Sequence, residues 1–550
     1  MFYNKNIFIP LSIFTIYFFV GLFIYKDYGI GIEEHFQRQN GFYWLSYLLT
    51  FTNFENLKEI VNIKYQSILY NNPDLPKPDF FNFYGILFDV PAAFIESIFN
   101  IQSSKIYFEI RHILNFIIFF IGAIFFYKIL YKRFKFTVSI IGLLIYISMP
   151  RIFGDSFHNN KDVFFLSIFS IALFYCFELL NKESFKNIII FCLFSALATS
   201  SRIIGIFFPF SVIFFLFWEF LSGKKNLKTF LTNSFTILFL FFLFLFLHFP
   251  YTWSLELKNI FSWLDPFFYN MGMDILFNGK YYNMKYLPML YLPTWIAITT
   301  PIYYLIFFSI GFYFLILKLF KRIIEIEERS TGNDLWRDIN EKKDAYIIIC
   351  FLIFISYACF FNVAMISGWR FFYFLHIFIV YIAVYGLNLI YLYCLKKNIN
   401  KNLFALLIII PILFIFYKII IFHPYQSLYF NLFINSSNVS KFQVDTPSLS
   451  RSDALKNILI HNKNKKKIIN VANASWTPFY NGKDKLKIDE QNKFNFVGQE
   501  YENADYIYTN FIYEIDTKFD DKYKIPKDFY EIKKIIINEI PIYSIYKRRN

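Results

Sequence analysis

The sequence predicts a mainly α-helical, polytopic membrane protein of about eleven transmembrane helices, with a small C-terminal α/β domain outside the membrane. Three observations support this fold class. The 550 residues are 57% hydrophobic and 23% aromatic, above the ~45–50% apolar usage of soluble proteins. The apolar residues form runs of about 20, the length of helix that crosses a hydrocarbon core of roughly 30 Å. Only the C-terminal part is polar over an extended length.

Each apolar run is expected to form one spanning helix, because unsatisfied backbone groups cannot face lipid. The first run has no small-residue cleavage site before Lys26 and Asp27, so it is interpreted as a retained anchor and not as a signal peptide. The runs lie near 7–25, 112–131, 137–149, 163–180, 187–200, 203–220, 229–248, 296–318, 345–361, 371–395 and 403–421.

Charge predicts the orientation, because Lys and Arg accumulate in short cytoplasmic loops. Basic loops such as "YKRFK", "NKESFK", "SGKKNLK" and "KKNINK" follow alternate helices. The N-terminus is therefore expected in the cytoplasm, in a bacterial inner membrane. The segments expected outside are 27–111, 150–162, 250–295, 362–370 and everything after about 422.

The chain is expected to divide into a membrane domain, 1–421, with a long first outer loop at 27–111, and an outer α/β domain, 422–550. In the second, "KKIINVA", "ADYIYTNF" and "IPIYSIYKR" have strand patterns, and "RSDALKNILIHN" predicts a helix with Ser452 as its N-cap. All five cysteines fall in apolar runs, so disulfides and a cysteine metal site are not expected. The net charge of +15 reflects orientation and lipid contact and does not indicate nucleic-acid binding.

Ionisable groups at membrane depth are costly unless they are paired or used, and here they cluster on the outer side. Taken singly, such groups are usually solvated or snorkelling side chains, but their occurrence on one face favours a shared cavity. They are Glu33, Glu34, Arg38, Arg151, Asp155, His158, Lys161, Asp162, Arg202, His248, Tyr251, Lys280, Lys285 and Arg370.

The order of these pieces resembles the GT-C class of polytopic glycosyltransferases, which includes protein O-mannosyltransferases and lipid A aminoarabinose transferases. The resemblance lies in the acidic pair of "IEEHFQR", the outer loop ending "YGILFDVPAAFIE", then "RHILNF", "MPRIFGDSFHNNKD" and "ITTP". It covers about 1–421. That class usually has Asp at the first acidic position, where this chain has Glu33, so the base is either Glu33 or Glu34.

The resemblance implies transfer of a sugar from a polyprenyl-phosphate donor to a glycan, lipid or protein acceptor, with inversion in a single displacement. Catalytic roles are then expected for Glu33, Glu34 and Asp162. Donor phosphate binding is expected from Arg38, Lys161, Arg202 and Arg370. Substrate contacts are expected from Arg151, Asp155, His158, His248 and Tyr251. No cofactor is predicted, and "FHNNKD" has too few regularly spaced ligands for a metal site.

Two other function classes fit a membrane protein with charges in a cavity. A transporter or lipid flippase would show internal repeats or broken helices near the midplane, whereas the charges here lie at one boundary. A non-catalytic assembly protein would use its tail to bind partners. Bound polyprenyl phosphate in the purified protein would favour the transferase, and substrate flux without a donor would favour transport.

The orientation is testable by cysteine labelling, because outer positions should react with an impermeant thiol reagent in intact cells or spheroplasts. Cysteines introduced at Asn71 and Asn481 are both expected to be labelled. Protection of either one in intact spheroplasts, with labelling after lysis, would contradict the predicted topology.

Overall fold

The computed structural model describes residues 5–72, 75–76, 85–254, 273–324, 336–361, 363–399, 401–462, 468–515 and 520–549. Helix occurs in all eleven predicted apolar runs. The membrane part contains α1 (Lys5–Ile24), α5 (Ser104–Arg133), α6 (Phe136–Ile147), α7 (Pro150–His158), α8 (Asp162–Asn181), α9 (Phe185–Ser201), α10 (Phe207–Leu221), α11 (Leu227–His248), α12 (Tyr291–Thr299), α13 (Ile302–Ile324), α14 (Ile339–Phe360), α15 (Leu375–Lys396) and α16 (Lys401–Ile421). The predicted mainly helical fold of an integral membrane protein is thus confirmed.

The number of spans differs from the expected eleven. Of the described helices, eight are long and apolar enough to cross a membrane, or nine if α6 and α7, which meet at 58°, form one bent span. Helix α9 and residues 406–421 of α16 are shorter apolar helices. The predicted run 296–318 is divided into α12 and α13 at Thr300 and Pro301, because proline cannot donate a helical hydrogen bond and disfavours helix in the residue before it.

The first outer loop folds into three helices: α2 (Glu34–Leu49), α3 (Glu55–Asn71) and α4 (Asp89–Ile98). Their apolar faces form a separate small core that includes Phe42, Leu45, Val61 and Ala93. A two-stranded hairpin, β1 (Asp274–Phe277) and β2 (Lys280–Asn283), precedes α12.

The C-terminal region contains the predicted mixture of helix and sheet. It comprises α17 (Ser450–Asn462), α18 (Ile488–Gln491), β3 (Ile469–Asn473), β4 (Phe494–Phe496), β5 (Tyr506–Thr509), β6 (Phe529–Ile537) and β7 (Ile540–Arg548). The five strands have the order β4-β3-β5-β7-β6. Strand β3 pairs in parallel with β4 and β5, and β7 pairs antiparallel with β5 and β6.

Two expectations for this region are corrected. The N-cap is not Ser452, because α17 begins at Ser450 and the Asp445 carboxylate accepts from the backbone N–H groups of Leu449 (2.9 Å) and Ser450 (3.2 Å). Asn481 is only 3% exposed, so it is a poor labelling position. Asn492 is exposed and serves the topology experiment instead.

The division at residue 422 stays a prediction. Residues 430–550 expressed alone should give a dispersed NMR spectrum, because α17 and the five strands supply a hydrophobic core of ordinary domain size. A spectrum of only a disordered chain would contradict independent folding. A matched variant carrying Ile545→Asp, at a position that is completely buried, should lose the dispersion.

Candidate active site

The centre of the site is a chain of alternating charges drawn from four separate elements. Glu33 lies at the end of the turn before α2 and forms an ion pair with Arg370, which begins a short 3-10 helix before α15. Arg370 Nε lies 3.8 Å from Asp162 Oδ2, at the start of α8. Asp162 in turn pairs with Arg202, between α9 and α10. The fold therefore brings together four residues that span more than 330 positions of sequence.

The Glu33 carboxylate is held in its charged form. Burial raises its pKa, but Arg370, Lys161 and Arg202 together outweigh burial and lower the pKa to about 2. Burial is also the main influence on Lys161, whose pKa is lowered well below its ordinary value despite the nearby Glu33. The three cations oppose two carboxylates when all are charged, so the cluster has room for one further negative charge.

Glu34 occupies a different environment although it is the next residue. Its side chain is fully enclosed, and Oε1 accepts from the backbone N–H of Gly31 at 2.7 Å and lies 3.2 Å from His112 Nε2 on α5. Burial raises the pKa of Glu34, but His112 and the Gly31 N–H lower it by more. The pKa of Glu34 is therefore below its ordinary value. Glu34 fixes the turn that presents Glu33, and Glu33 faces the cations.

The C-terminal region also holds this turn. Ile32 N–H donates to Pro447 O at 2.9 Å, and Arg451 Nη2 donates to Ile30 O at 2.8 Å. A Cβ on Gly29 would lie 2.1 Å from Leu449 O, so this close backbone approach requires glycine. The segment 445–451 therefore sets the position of Glu33 from outside the membrane part.

The predicted substrate group Arg151, Asp155 and His158 lies beside Glu33 and Glu34 in a small cleft. Arg151 Nε donates to Tyr429 O at 2.9 Å, and its guanidinium lies over the rings of Trp295 and Phe430. His158 Nε2 lies 3.3 Å from Asp155 Oδ1. The structure thus places all three of these residues in the site region.

Asn159 lies between α7 and α8 and joins Asp155 of α7 to Asp162 at the start of α8. Its amide Nδ2 donates to Asp162 Oδ2 at 3.0 Å and to Asp155 Oδ2 at 3.3 Å. Its Oδ1 accepts from Asp162 N–H at 3.0 Å. A carboxylate at a helix N-terminus is favoured by the helix dipole, so Asp162 is held rigidly with its charge next to Arg202.

Other predicted site residues are not brought to this centre. Arg38 makes a two-point ion pair with Glu96, at 3.0 and 2.5 Å, and its guanidinium lies 3.8 Å from the Tyr107 ring. His248 Nε2 lies 2.9 Å from Ser200 Oγ, and its Nδ1 donates to Phe244 O. Tyr251 contacts Phe249.

A cavity of about 910 Å³ opens next to the charged centre. Glu33, Lys161 and Arg370 line it, together with the acids Asp89, Asp274 and Glu514. The rest of the wall is mainly apolar and comes from the segment 27–111, the start of α8, strand β1, the turn before α15 and the C-terminal region. It includes Phe36, Leu87, Phe88, Phe164, Phe371, Trp476, Tyr480 and Ile512. The cavity therefore suits a molecule with a long apolar part and one anionic group.

Sequence reasoning missed a second buried ion pair on the cavity wall. Arg111 Nη2 lies 2.5 Å from Asp89 Oδ1, and Asn40 Nδ2 donates to Asp89 Oδ2 at 3.1 Å. Burial raises the pKa of Asp89 in spite of Arg111. Opposite charges inside the mainly apolar stretches "LFDVPAAF" and "FEIRHILNF", with Asp89 in the first and Arg111 beside Glu109 and His112 in the second, are the signal that favours such a pair.

Within the described ranges, no group of three His, Cys, Asp or Glu side chains is arranged to hold a metal ion. The side chains at the centre are carboxylates and cations. Their candidate chemistry is proton acceptance by Glu33 and anion binding by Arg370, Arg202 and Lys161.

Comparison with known proteins agrees with the resemblance seen in the motifs. Residues 90–251 match the model of a family described as dolichyl-phosphate-mannose-protein mannosyltransferase. This stretch includes "RHILNF" and "MPRIFGDSFHNNKD", and the match confirms there the predicted likeness to GT-C membrane glycosyltransferases. No curated protein matches the sequence significantly. Among solved structures, the crystal structure of ArnT from Cupriavidus metallidurans bound to undecaprenyl phosphate is similar over 99% of this chain and 98% of that chain, with 9% identity and a TM-score of 0.42.

The ion pair with Arg370 predicts how the pKa of Glu33 responds to a substitution. Replacing Arg370 by Leu should raise the pKa of Glu33 from about 2 towards the ordinary carboxyl value of roughly 4.3, because the strongest neighbouring attraction is removed. Infrared spectra of the variant should then show a protonated carboxyl signal as the pH falls from about 5 to about 3. The double variant Arg370→Leu/Glu33→Gln should lack this signal, and an unchanged spectrum in the single variant would contradict the assignment.

Proposed function

We propose that this chain is a membrane glycosyltransferase that moves a sugar from a polyprenyl-phosphate donor to a hydroxyl group of an acceptor on the outer face of a bacterial inner membrane. One observation carries the proposal above all: the Glu33 carboxylate lies with Arg370 and Lys161 on the wall of a large, mainly apolar cavity, and Arg202 lies near Glu33. The family match in residues 90–251 supports the same reaction class.

The cavity matches the two halves of such a donor. Its apolar wall accommodates polyprenyl chain, whose burial is favourable by about 25 cal/mol per Å². Its charged part accommodates the phosphodiester, which carries the one negative charge that the cluster lacks. Arg370 presents a planar guanidinium that binds a phosphate through two hydrogen bonds.

The chemistry is a single displacement. The acceptor oxygen forms a bond to the anomeric carbon, and the bond between that carbon and the phosphate oxygen breaks. The acceptor proton goes to Glu33, and the electron pair of the broken bond leaves with the phosphate, where Arg370, Lys161 and Arg202 stabilise it. Attack opposite the leaving phosphate inverts the anomeric centre.

Donor binding also prepares the base. Before the donor binds, three cations lower the pKa of Glu33 to about 2, which makes it a weak proton acceptor. A bound phosphate offsets those cations and competes for Arg370, so the pKa of Glu33 rises when the donor is in place. Glu33 is thus the base in this proposal, and Glu34 is the residue that positions it through Gly31 and His112.

The orientation in this proposal rests on the Lys and Arg asymmetry of the loops. We place the N-terminus in the cytoplasm and the C-terminal region outside, so that the cavity opens at the outer boundary of the membrane. Trp476 and Tyr480 of the C-terminal region line the cavity, so this region contributes to the acceptor side. Arg151, Asp155 and His158 lie in the adjoining cleft and contact the substrates as they meet at Glu33.

The base is tested by Glu33→Gln and Glu34→Gln. Glutamine keeps the shape and most hydrogen bonds but cannot accept the proton, so Glu33→Gln should lose about 10²-fold or more in turnover. Glu34→Gln should lose less, because its effect on Glu33 is indirect. Neither variant should bind undecaprenyl phosphate more weakly than the natural chain. Turnover is measured with a labelled donor in membranes of a deletion strain, which supply the acceptor, together with the melting temperature of each purified variant.

Three outcomes would count against this assignment. Normal transfer by both single variants and by the double variant would end the glycosyltransferase proposal for this site. A larger loss for Glu34→Gln than for Glu33→Gln would exchange their roles. A loss of activity that only follows a fall in melting temperature would indicate a structural role.

The cations are tested by ligand binding. Arg370→Gln or Arg202→Gln should weaken binding of undecaprenyl phosphate by about 10- to 100-fold, since a charge-assisted contact contributes roughly 1.5–3 kcal/mol. Arg38→Gln is the matched control, because Arg38 is paired with Glu96 and should leave the affinity unchanged. Equal losses in all three variants would contradict the placement of the phosphate at Arg370.

A further inference from the structure

Four buried carboxamide side chains line the same cavity as Glu33 and Lys161. Gln37 and Asn40 come from α2, Asn160 from the turn before α8, and Asn481 from the C-terminal region. Their exposed fractions are 6%, 1%, 4% and 3%, respectively. Three distant parts of the chain thus place the same uncharged polar group around one space.

These carboxamides are short of hydrogen-bond partners among the described residues. Asn160 has a partner for neither Nδ2 nor Oδ1, and the side-chain oxygens of Gln37, Asn40 and Asn481 also lack one. The great majority of buried side-chain polar atoms in proteins have at least one partner. The terminal amide torsion is soft, so a small rotation turns either amide atom towards a molecule in the cavity.

The hydrogen-bonding groups of the four carboxamides favour some sugar substituents over others. A carboxamide both donates and accepts hydrogen bonds, and a hydroxyl group does the same, so the two form matched pairs. An ammonium group would instead need a carboxylate beside the amides that no cation already holds. Of the four described acids that line the cavity, Glu33 pairs with Arg370, Asp89 with Arg111 and Glu514 with Lys522. The fourth, Asp274, lies on β1, which carries none of the four carboxamides. A carboxylate on the sugar would compete with the donor phosphate for the same cations.

An aromatic surface completes the lining. Trp476 lies on the cavity wall with about a third of its surface exposed, at 36%. An aromatic plane beside a few placed polar groups is the usual composition of a small-molecule site. A sugar ring has an apolar face that packs on such a plane while its hydroxyl groups reach the amides.

We infer that Gln37, Asn40, Asn160 and Asn481 form the subsite for the transferred sugar, and that this sugar is neutral and polyhydroxylated. The inference rests on the proposed function, which it extends from the reaction to the class of sugar. The carboxamides bind the hydroxyl groups and hold the anomeric carbon between Glu33 and the phosphate-binding cations.

The test measures binding to the full-length chain in nanodiscs, so it needs no knowledge of the acceptor. The probes are undecaprenyl phosphate and undecaprenyl-phosphate donors that carry a neutral hexose, an amino sugar or a uronic acid. The natural chain should bind the neutral donor about tenfold or more tightly than undecaprenyl phosphate alone. The other two donors should show a smaller gain.

Asn160→Leu and Gln37→Leu should each remove most of the gain for the neutral donor and leave the affinity for undecaprenyl phosphate within about twofold. Gln39→Leu is the matched control. Gln39 also lies on α2, is 1% exposed and has an oxygen without a described partner, but it is not among the residues that line the cavity. This variant should keep the gain.

Each outcome separates the two proposals. Binding of undecaprenyl phosphate with no preference for the neutral sugar, or with an unchanged preference in both Leu variants, overturns the sugar subsite and leaves the transferase proposal in place. An equal loss in Gln39→Leu overturns the subsite as well. Failure of undecaprenyl phosphate to bind overturns the transferase proposal, and the sugar subsite with it.

Discussion

The ion pair between Glu33 and Arg370 is the interaction on which the arrangement of the site depends. It joins the first outer loop to the turn before α15, and Arg370 is 7% exposed. Removing two charges from water is costly, and the cost is recovered only when their remaining bonding capacity is also met. Here opposite charges lie close to both groups: Asp162 lies near Arg370, and Lys161 and Arg202 lie near Glu33. The starts of α8 and α10 are thereby held at fixed positions around the cavity.

A second constraint comes from outside the membrane part. The segment 445–451 contacts the turn 29–32 through two hydrogen bonds and one close backbone approach at Gly29. His35 is bound to Asp484 at 2.8 Å, and Lys485 lies 3.7 Å from Glu109. The C-terminal region and the first outer loop therefore form one support for Glu33.

The sequence predicted most residues of the charged centre, but it included one residue that lies elsewhere and missed a neighbouring ion pair. Glu33, Lys161, Asp162, Arg202 and Arg370 were predicted to share a site, and the fold brings them together. Arg38 was predicted with them and instead pairs with Glu96. The difference is one of helix geometry: Arg38 lies on α2, and a pattern of charges along the chain does not specify the rotation of that helix. The Asp89–Arg111 pair was missed for the same reason, since its members come from different helices.

The sequence by itself determined the class of the protein, because the length of an apolar run and the costs of exposed backbone and unpaired charge in lipid are local properties of the chain. It also determined the mixed helix and sheet of the C-terminal region, apart from the exact cap of α17. Only the tertiary structure decided that Glu33 faces the cations while Glu34 is enclosed with His112. It also decided which carboxamides line the cavity. These are outcomes of packing between elements that are far apart in sequence, where the direction of each side chain depends on its neighbours.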